Sequence, residues 1–552
     1  MGVASRLRAL VLLLGVAAAA GCTEADSAID RPRTGEPAVP AYGDTLIESL
    51  LGNISGLIPN ITSDGASHEV GDRIYNALLR FDRNLNPVGD LAASWEFSGD
   101  CLDLTFRLRP GVLWHDGAPF TAADVVFTYE ATIDSRTPSP YKVDFSEVAA
   151  VEALDEHTVH VRYKRPYAKA ITSWASHAIL PRHLLAPYVA EGKIREAPQN
   201  WSAPVGTGPY RFVEIKAGER LVLVANQDYF DGRPHISRLV YRIIPSQATT
   251  FLELKAQGVD AATLTALQYT RQTDYPAFRK AYDKYNYPGS AYTYLGFNLR
   301  DRRFADRRVR QAFAHAINKQ ALIDGVIMGL GREATGPYKP GTWPYTDQVK
   351  RYPYDPERAR QLLAKAGWRE RNADGLLVKD GQPFTFELLT NQGNDERKRI
   401  AELVQASLAE VGVGVRIRVV EWAALLKEHI RKRHFEALVL GWGIGVDPDQ
   451  YVVWHSSQQA PEQLNHIGYA SPEADALLEK GRSSCVQQDR VATYHRLQEV
   501  LAEDQPLVFL YFRDALQAVS ARVHGIDPGP NGIRHNFTEW FVPRNLHRYT
   551  AG

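Results

Sequence analysis

The stretch GWGIGVDPDQYVVWHSSQ, Gly441 to Gln458, places two tryptophans, three glycines, two aspartates and a histidine within eighteen positions. Two carboxylates and an imidazole are the groups of a metal site or of acid–base catalysis. They also have a structural reading. Asp447 precedes Pro448 and is pushed out of helical geometry. Asp449 can then cap a helix running through Tyr451, Val452 and Trp454. His455 would meet a metal only if that helix folded back. The structural role is therefore expected over direct ligand or metal contact, and neither a metal nor a cofactor is expected.

No other stretch carries a catalytic motif. Asn53-Ile54-Ser55-Gly56 lacks the spacing of a nucleophile elbow. His68-Glu69 lacks the second histidine of a zinc-protease helix. His429 and His434, five apart among basic residues, read as surface groups. Gly329-Leu330-Gly331 follows a helical pattern, whereas a dinucleotide fingerprint needs a preceding strand. It reads as a helix-ending turn. A hydrolase with paired carboxylates finds no support in these motifs, and no enzymatic activity is expected.

The elements that would position the opening stretch alternate irregularly between strand and helix, which predicts an α/β chain. Phe435 to Leu440 is a strand feeding it. Phe384 to Leu388 and Val413 to Val419 alternate as strands, with a helix over Ile400 to Val411 between them. Thr121 to Asp124 has the form of a capping box. Asp306 is a possible helix cap, and Asp355-Pro356 starts a helix that Gly367 ends. Leu507 to Phe512 (LVFLYF) is a buried type of strand.

The 552 residues are 44% hydrophobic and 23% charged, with 64 basic and 64 acidic side chains. That balance gives no sign of a nucleic-acid partner. The N-terminus resembles a processed leader. Arg6 and Arg8 precede the apolar run Leu10 to Ala20, which is shorter than the about 20 residues of a bilayer span. Ala19-Ala20-Gly21-Cys22 then resembles a lipoprotein cleavage site, with Cys22 the lipidated first residue of the mature chain. Losing Arg6 and Arg8 would leave a slight acidic excess. The segment after Cys22 reads as a flexible tether, able to reach at most about 60 Å. The remaining cysteines, Cys101 and Cys485, are expected to be separate thiols. The compartment permits a disulfide, but sequence alone does not bring two distant residues within bonding distance.

Several stretches together resemble one family. LTFRLRPGVLWHDGAPFTAADVVFTYE (104–130), PVGTGPYRF (204–212), FADRRVRQAFAHAINKQALI (304–323) and YDPERARQLLAKAGW (354–368) are similar, in order, to landmarks of the family 5 extracellular solute-binding proteins. These are receptors of peptide and nickel ABC importers. The resemblance runs from about Leu46 to the C-terminus. It implies a two-lobed α/β periplasmic-binding-protein fold with an extra subdomain, its lobes closing on a ligand about two crossing segments. The crossings would be Tyr292 to Leu299 and Leu507 to Phe512. The implied layout is a leader (1–21), a tether (22–41), a first lobe (42–66, 200–293 and 513–552) carrying the subdomain (67–199), and a second lobe (294–512).

The resemblance also implies the site. Tyr294 and Gly296 would lie on the first crossing, where the family touches peptide backbone. Asn391 and Gln392 would end a strand at the cleft edge. Trp422 would flank ligand, with a core aromatic as the close second reading. Trp442, Gly443 and Gly445 would form the cleft loop. Short-peptide receptors of the family carry an aspartate three residues after the loop tryptophan, paired with the ligand's α-ammonium. Here that position is Gly445, and Asp447 is the nearest carboxylate. A buried ammonium without a partner costs several kcal/mol. Longer peptides, or a ligand without an α-ammonium, would suit this loop.

The expectation is a monomeric, membrane-anchored lipoprotein facing the periplasm or cell exterior. It would hand peptides, oligopeptides in particular, to ABC permease and ATPase subunits. The alternatives are the same fold holding an oligosaccharide, opine or metal chelate, or an envelope sensor or chaperone.

Overall fold

The computed structural model describes residues 39–549. The leader, Cys22 and nearly all of the tether lie outside them. Among the described residues no helix is long and apolar enough to cross a membrane.

One mixed sheet runs through the molecule, and two long antiparallel strands occupy its middle. The first is Tyr282–Phe297 and the second is Leu507–Ser520. They pair from Tyr282↔Ser520 to Gly296↔Leu507, with register shifts between Pro288 and Tyr292 and between Thr293 and Tyr294. Outward from the first lie Ala437–Gly443, Thr385–Asn391 and Gly414–Val420. Outward from the second lie Ala261–Thr263, Gly43–Leu50, Ile236–Ile243, Arg220–Ala225 and Tyr210–Lys216. The two central strands therefore carry the chain between the halves of the sheet. Both are longer than their apolar stretches suggest. Pro288 and Gly289 interrupt the pattern in the first, and before them only Tyr282 and Tyr285 are buried.

The first six residues of Leu507–Ser520 are all buried, as expected of a strand covered on both faces. Their side chains divide between two cores. Val508 and Leu510 pack with the helices Arg307–Ala316 and Asp395–Glu410. Leu507 and Phe509 pack with Trp454, Tyr494 and Leu497. A further core lies under the four-stranded sheet formed by Ala92–Phe97, Asp103–Leu108, Thr158–Tyr163 and Val148–Asp155. Leu104, Phe106, Val159 and Trp174 are buried there.

Helix signals in the chain are used much as their chemistry suggests. Thr121 and Asp124 form the reciprocal capping box of Ala122–Ile133. Asp306 and Asp355 cap the helices that follow them, accepting from the amides of Arg308 and Arg358. Gly329 (φ 77°) sits in the turn after Lys319–Val326, and Gly331–Glu333 then adds to the second central strand.

The expectation of two separate thiols is wrong. Cys101 and Cys485 form a disulfide across 384 residues. Cys101 lies in the turn between two strands of the four-stranded sheet. Cys485 lies in the loop between the helices Pro472–Gly481 and Gln487–Asp504. Folding brings these loops together because the subdomain packs directly on that helical region. The Ala168 amide donates to the Arg482 carbonyl (2.9 Å), and Arg482 Nη2 donates to the Val143 carbonyl (3.1 Å). Arg195 pairs with Glu462 (2.9 Å). A second set of contacts joins the halves elsewhere: Gln247 N to Gly393 O (3.0 Å), and Asp395 N to Gln247 Oε1 (2.8 Å).

Candidate functional site

Strand pairing builds the floor of the site. Ala437–Gly443 runs antiparallel to the first central strand and sets Trp442 opposite Tyr292 and Leu440 opposite Tyr294. Beyond Gly443 the chain leaves the sheet. Trp442, Gly443, Gly445 and Asp447 then line a cavity of about 350 Å³. The opposite wall comes from the subdomain and its junction with the first half of the sheet, through His68, Tyr141, Asp144, Lys169 and His177. The cavity adjoins a second one, of about 280 Å³, which shares Pro59, His68, Phe81 and Ser176 with it.

The carboxylates of the opening stretch are turned to the protein. Asp447 accepts from Arg490 Nη2 through both oxygens, at 2.7 and 2.9 Å. Asp449 pairs with Arg482 at 2.9 Å. All four side chains are nearly inaccessible. Burial alone would lower the pKa of Arg482, but Asp449, Tyr167 and Asp144 outweigh it and raise it. Asp449 also accepts from the Tyr451 amide (2.9 Å), at the start of the one-turn helix Tyr451–Trp454. The formal cap is Gln450, one residue later than the sequence suggests. His455 stacks on Tyr451, with ring centroids 4.0 Å apart.

Gly445 has open space around it. A Cβ built there meets only the Asp447 carbonyl oxygen, at 3.7 Å. The loop thus has room for a side chain at position 445 and carries none there.

On the opposite wall Asp144 binds Lys169 (2.6 Å) and lies 3.5 Å from His177. Burial works to raise the Asp144 pKa, and Lys169 and His177 outweigh it, holding the carboxyl below its usual range. Burial, the largest influence on His177, lowers its pKa. This wall presents an internally neutralised cluster.

The other predicted residues separate into two groups. Tyr294 and Gly296 are buried on the first central strand. The Tyr294 hydroxyl meets His466 Nε2 (3.2 Å), and the Tyr294 ring fills the space beside Gly296, leaving 2.8 Å for any Cβ there. Their contacts are internal. Asn391, Gln392 and Trp422 lie together at the strand end. Asn391 Oδ1 accepts from Arg397 Nη1 (2.9 Å), and the Gln392 amide donates to Val420 O (2.7 Å). Trp422 backs on Gly52 of the other half, and its ring lies 6.0 Å from the Arg397 guanidinium. Trp442 stacks on His466, with ring centroids 5.4 Å apart.

Sequence reasoning missed Arg397, Arg482 and Arg490. Arg397 is the third residue of its helix and follows the strand end at Asn391, which was the available clue. Burial, its largest influence, lowers its pKa. Among the described residues it has no carboxylate within ion-pair distance. Nothing in the pattern GRSSCVQQDR points its two arginines at a loop some forty residues earlier.

Residues 86–463 match the model of the bacterial extracellular solute-binding proteins, family 5. The chain is 31% identical over 542 residues to the oligopeptide-binding protein AppA of Bacillus subtilis, covering 97% of each. The structure of AppA in complex with a nonapeptide superposes with a TM-score of 0.87, covering 91% of this chain and 100% of that one. NikZ of Campylobacter jejuni, in complex with Ni(L-His), superposes with a TM-score of 0.81 at 28% identity, covering 90% and 99%. Fold, landmarks and family model agree, and the chain belongs to the family 5 bacterial extracellular solute-binding proteins.

Proposed function

We propose that this protein is the peptide receptor of an ABC importer. It encloses extended peptides, oligopeptides in particular, between its two halves and delivers them to a membrane permease. The observation that carries this reading is the cleft loop. Asp447 and Asp449 are both consumed by arginines, and position 445 is glycine, so the loop offers no carboxylate to an α-ammonium. A receptor that does not clamp the ligand's N-terminus there can accept chains of different length. The two adjoining cavities give an extended ligand room to continue past His68 and Phe81. The likeness to AppA over nearly the whole chain points the same way.

Backbone hydrogen bonds and hydrated pockets would supply the affinity. Micromolar binding needs only about −8 kcal/mol. The N-terminal segment fits a lipid anchor at Cys22, and the reading makes the protein a monomeric envelope lipoprotein with permease and ATPase partners.

Mass spectrometry of ligands co-purified with the mature chain tests the proposal. A mixed series of peptides is expected, and a single saccharide would overturn it. Cys22→Ala should release the protein from membranes; unchanged membrane association would count against the anchor.

A further inference from the structure

The Cys101–Cys485 disulfide ties the four-stranded subdomain to the helical region that holds the cleft loop. Three features place it in the machinery of opening rather than in one rigid body. It joins loops belonging to different cores. It lies on a seam otherwise held mainly by polar contacts: Ala168 to Arg482, Arg482 to Val143 and Tyr167 (2.5 Å), and the ion pair Arg195–Glu462 (2.9 Å). Cys485 is exposed.

The same short segment is wired to the ligand loop. Arg482, three residues before Cys485, holds Asp449; Arg490, five residues after it, holds Asp447. Arg482 also reaches across the seam to Tyr167. A displacement of the Cys485 loop would therefore pull on both aspartates of the cleft loop and on the subdomain contact.

We propose that Cys101–Cys485 is a redox latch. Intact, it holds the halves together at the subdomain seam and slows exchange of ligand. Reduced, it lets the seam part by hinge motion about the two central strands. The reductant is an envelope dithiol. One of its thiolates attacks the sulfur of Cys485, the exposed residue of the pair, forming a mixed disulfide and expelling the Cys101 thiolate, which takes up a proton. The second thiol, as its thiolate, displaces Cys485, which is protonated in turn. Two electrons and two protons pass to the protein, and the dithiol becomes a disulfide. The latch rests on the two-lobed architecture and not on the identity of the ligand.

The test compares full mature protein, freed of ligand by unfolding and refolding, in three forms: reoxidised, kept reduced with dithiothreitol, and as the Cys101→Ser/Cys485→Ser variant. Small-angle scattering gives the radius of gyration, and hydrogen exchange reports the Ala168 amide on the seam. The reduced protein and the variant are expected to share a larger radius than the oxidised protein. Their Ala168 amide should exchange at least about tenfold faster, and the variant should ignore dithiothreitol.

Indistinguishable scattering and exchange in all three forms would overturn the latch. So would two titratable thiols persisting in the refolded protein after reoxidation. The peptide reading fails separately. A redox-dependent radius with no co-purified peptide leaves the latch standing, and co-purified peptides with no redox effect leave the receptor without it.

Discussion

Asp447 lies with both carboxylate oxygens within 2.9 Å of one guanidinium nitrogen of Arg490, and the two side chains are only 8% and 6% exposed. This pair ties up the carboxylate nearest the glycine loop within the protein. Arg490 also donates to the Tyr494 hydroxyl (3.0 Å) and, through Nε, to the Gly481 carbonyl (2.9 Å). Nη2 and Nε of the guanidinium are thus both engaged on the protein side. Removing it strands a buried carboxylate. Arg490→Ala should destabilise the protein by about 3–5 kcal/mol, and Asp447→Asn/Arg490→Met should recover a part of that loss. Urea unfolding measures both. A near-neutral Arg490→Ala would show that the pair is solvated and that Asp447 is free to meet ligand.

Gly445 supplies the complementary experiment. Its surroundings are open and its backbone is not in the left-handed region, so an aspartate fits without strain. Gly445→Asp should change stability by no more than about 0.5 kcal/mol, as an exposed substitution does. It should add a preference for free over N-acetylated peptide of about tenfold or more, the worth of a charge-assisted hydrogen bond. The measurement is calorimetric titration with one co-purified peptide sequence synthesised in both forms. An unchanged ratio would mean that the ligand's N-terminus lies elsewhere.

Much of this arrangement was readable from residue types, and the exceptions share a cause. Local signals worked. The capping box at Thr121, the caps at Asp306 and Asp355, and the strand entering Trp442 all depend on neighbours a few residues apart. The central strands were seen only in their apolar parts; in the first, Pro288 and Gly289 mask the rest, and in the second the charged pair Arg513-Asp514 ends the apolar run. The disulfide, the Arg490–Asp447 pair and the Arg482–Asp449 pair join residues distant in sequence. Their pairing is decided by how the layers pack, which no periodicity encodes. The same holds for Tyr294 and Gly296. Their positions on the first central strand were legible, but which face of that strand is covered was not.

Acid should act on the site through His466, which lies under Trp442. Burial, with Arg433 beside it, pushes its imidazole from 6.5 down to about 3. Between those values the unfolded chain binds more protons, so stability falls as pH drops below 6.5, by about 1.4 kcal/mol per pH unit. Asp90 runs the other way. Burial raises its carboxyl from 3.8 to about 6. Between those values the folded chain binds more protons, so its contribution is full below 3.8 and is lost as pH rises to about 6. Relative to wild type, His466→Gln should therefore gain on acidification from pH 7 to 4.5, and Asp90→Asn should gain on raising pH from 4 to 6. Urea midpoints across this range check both signs, and parallel curves would contradict them.

Arg397 carries the remaining prediction. It stands beside Asn391, Trp422 and the strand residue Gly441, where the resemblance places the cleft edge. Among the described residues no carboxylate lies within ion-pair distance of it, the neighbouring Glu396 pairing instead with Arg513 (2.9 Å), although burial already disfavours its charge. A guanidinium held in that state is a receptor for an anionic group, and a peptide brings one at its C-terminus. Arg397→Gln keeps a donor to Asn391 but removes the charge. It should weaken binding of a peptide acid by about 1.5–3 kcal/mol, more than tenfold, and leave the corresponding C-terminal amide nearly unaffected. Equal losses for acid and amide would mean that Arg397 only shapes the strand end. The two variants together would test which terminus of the peptide each position meets.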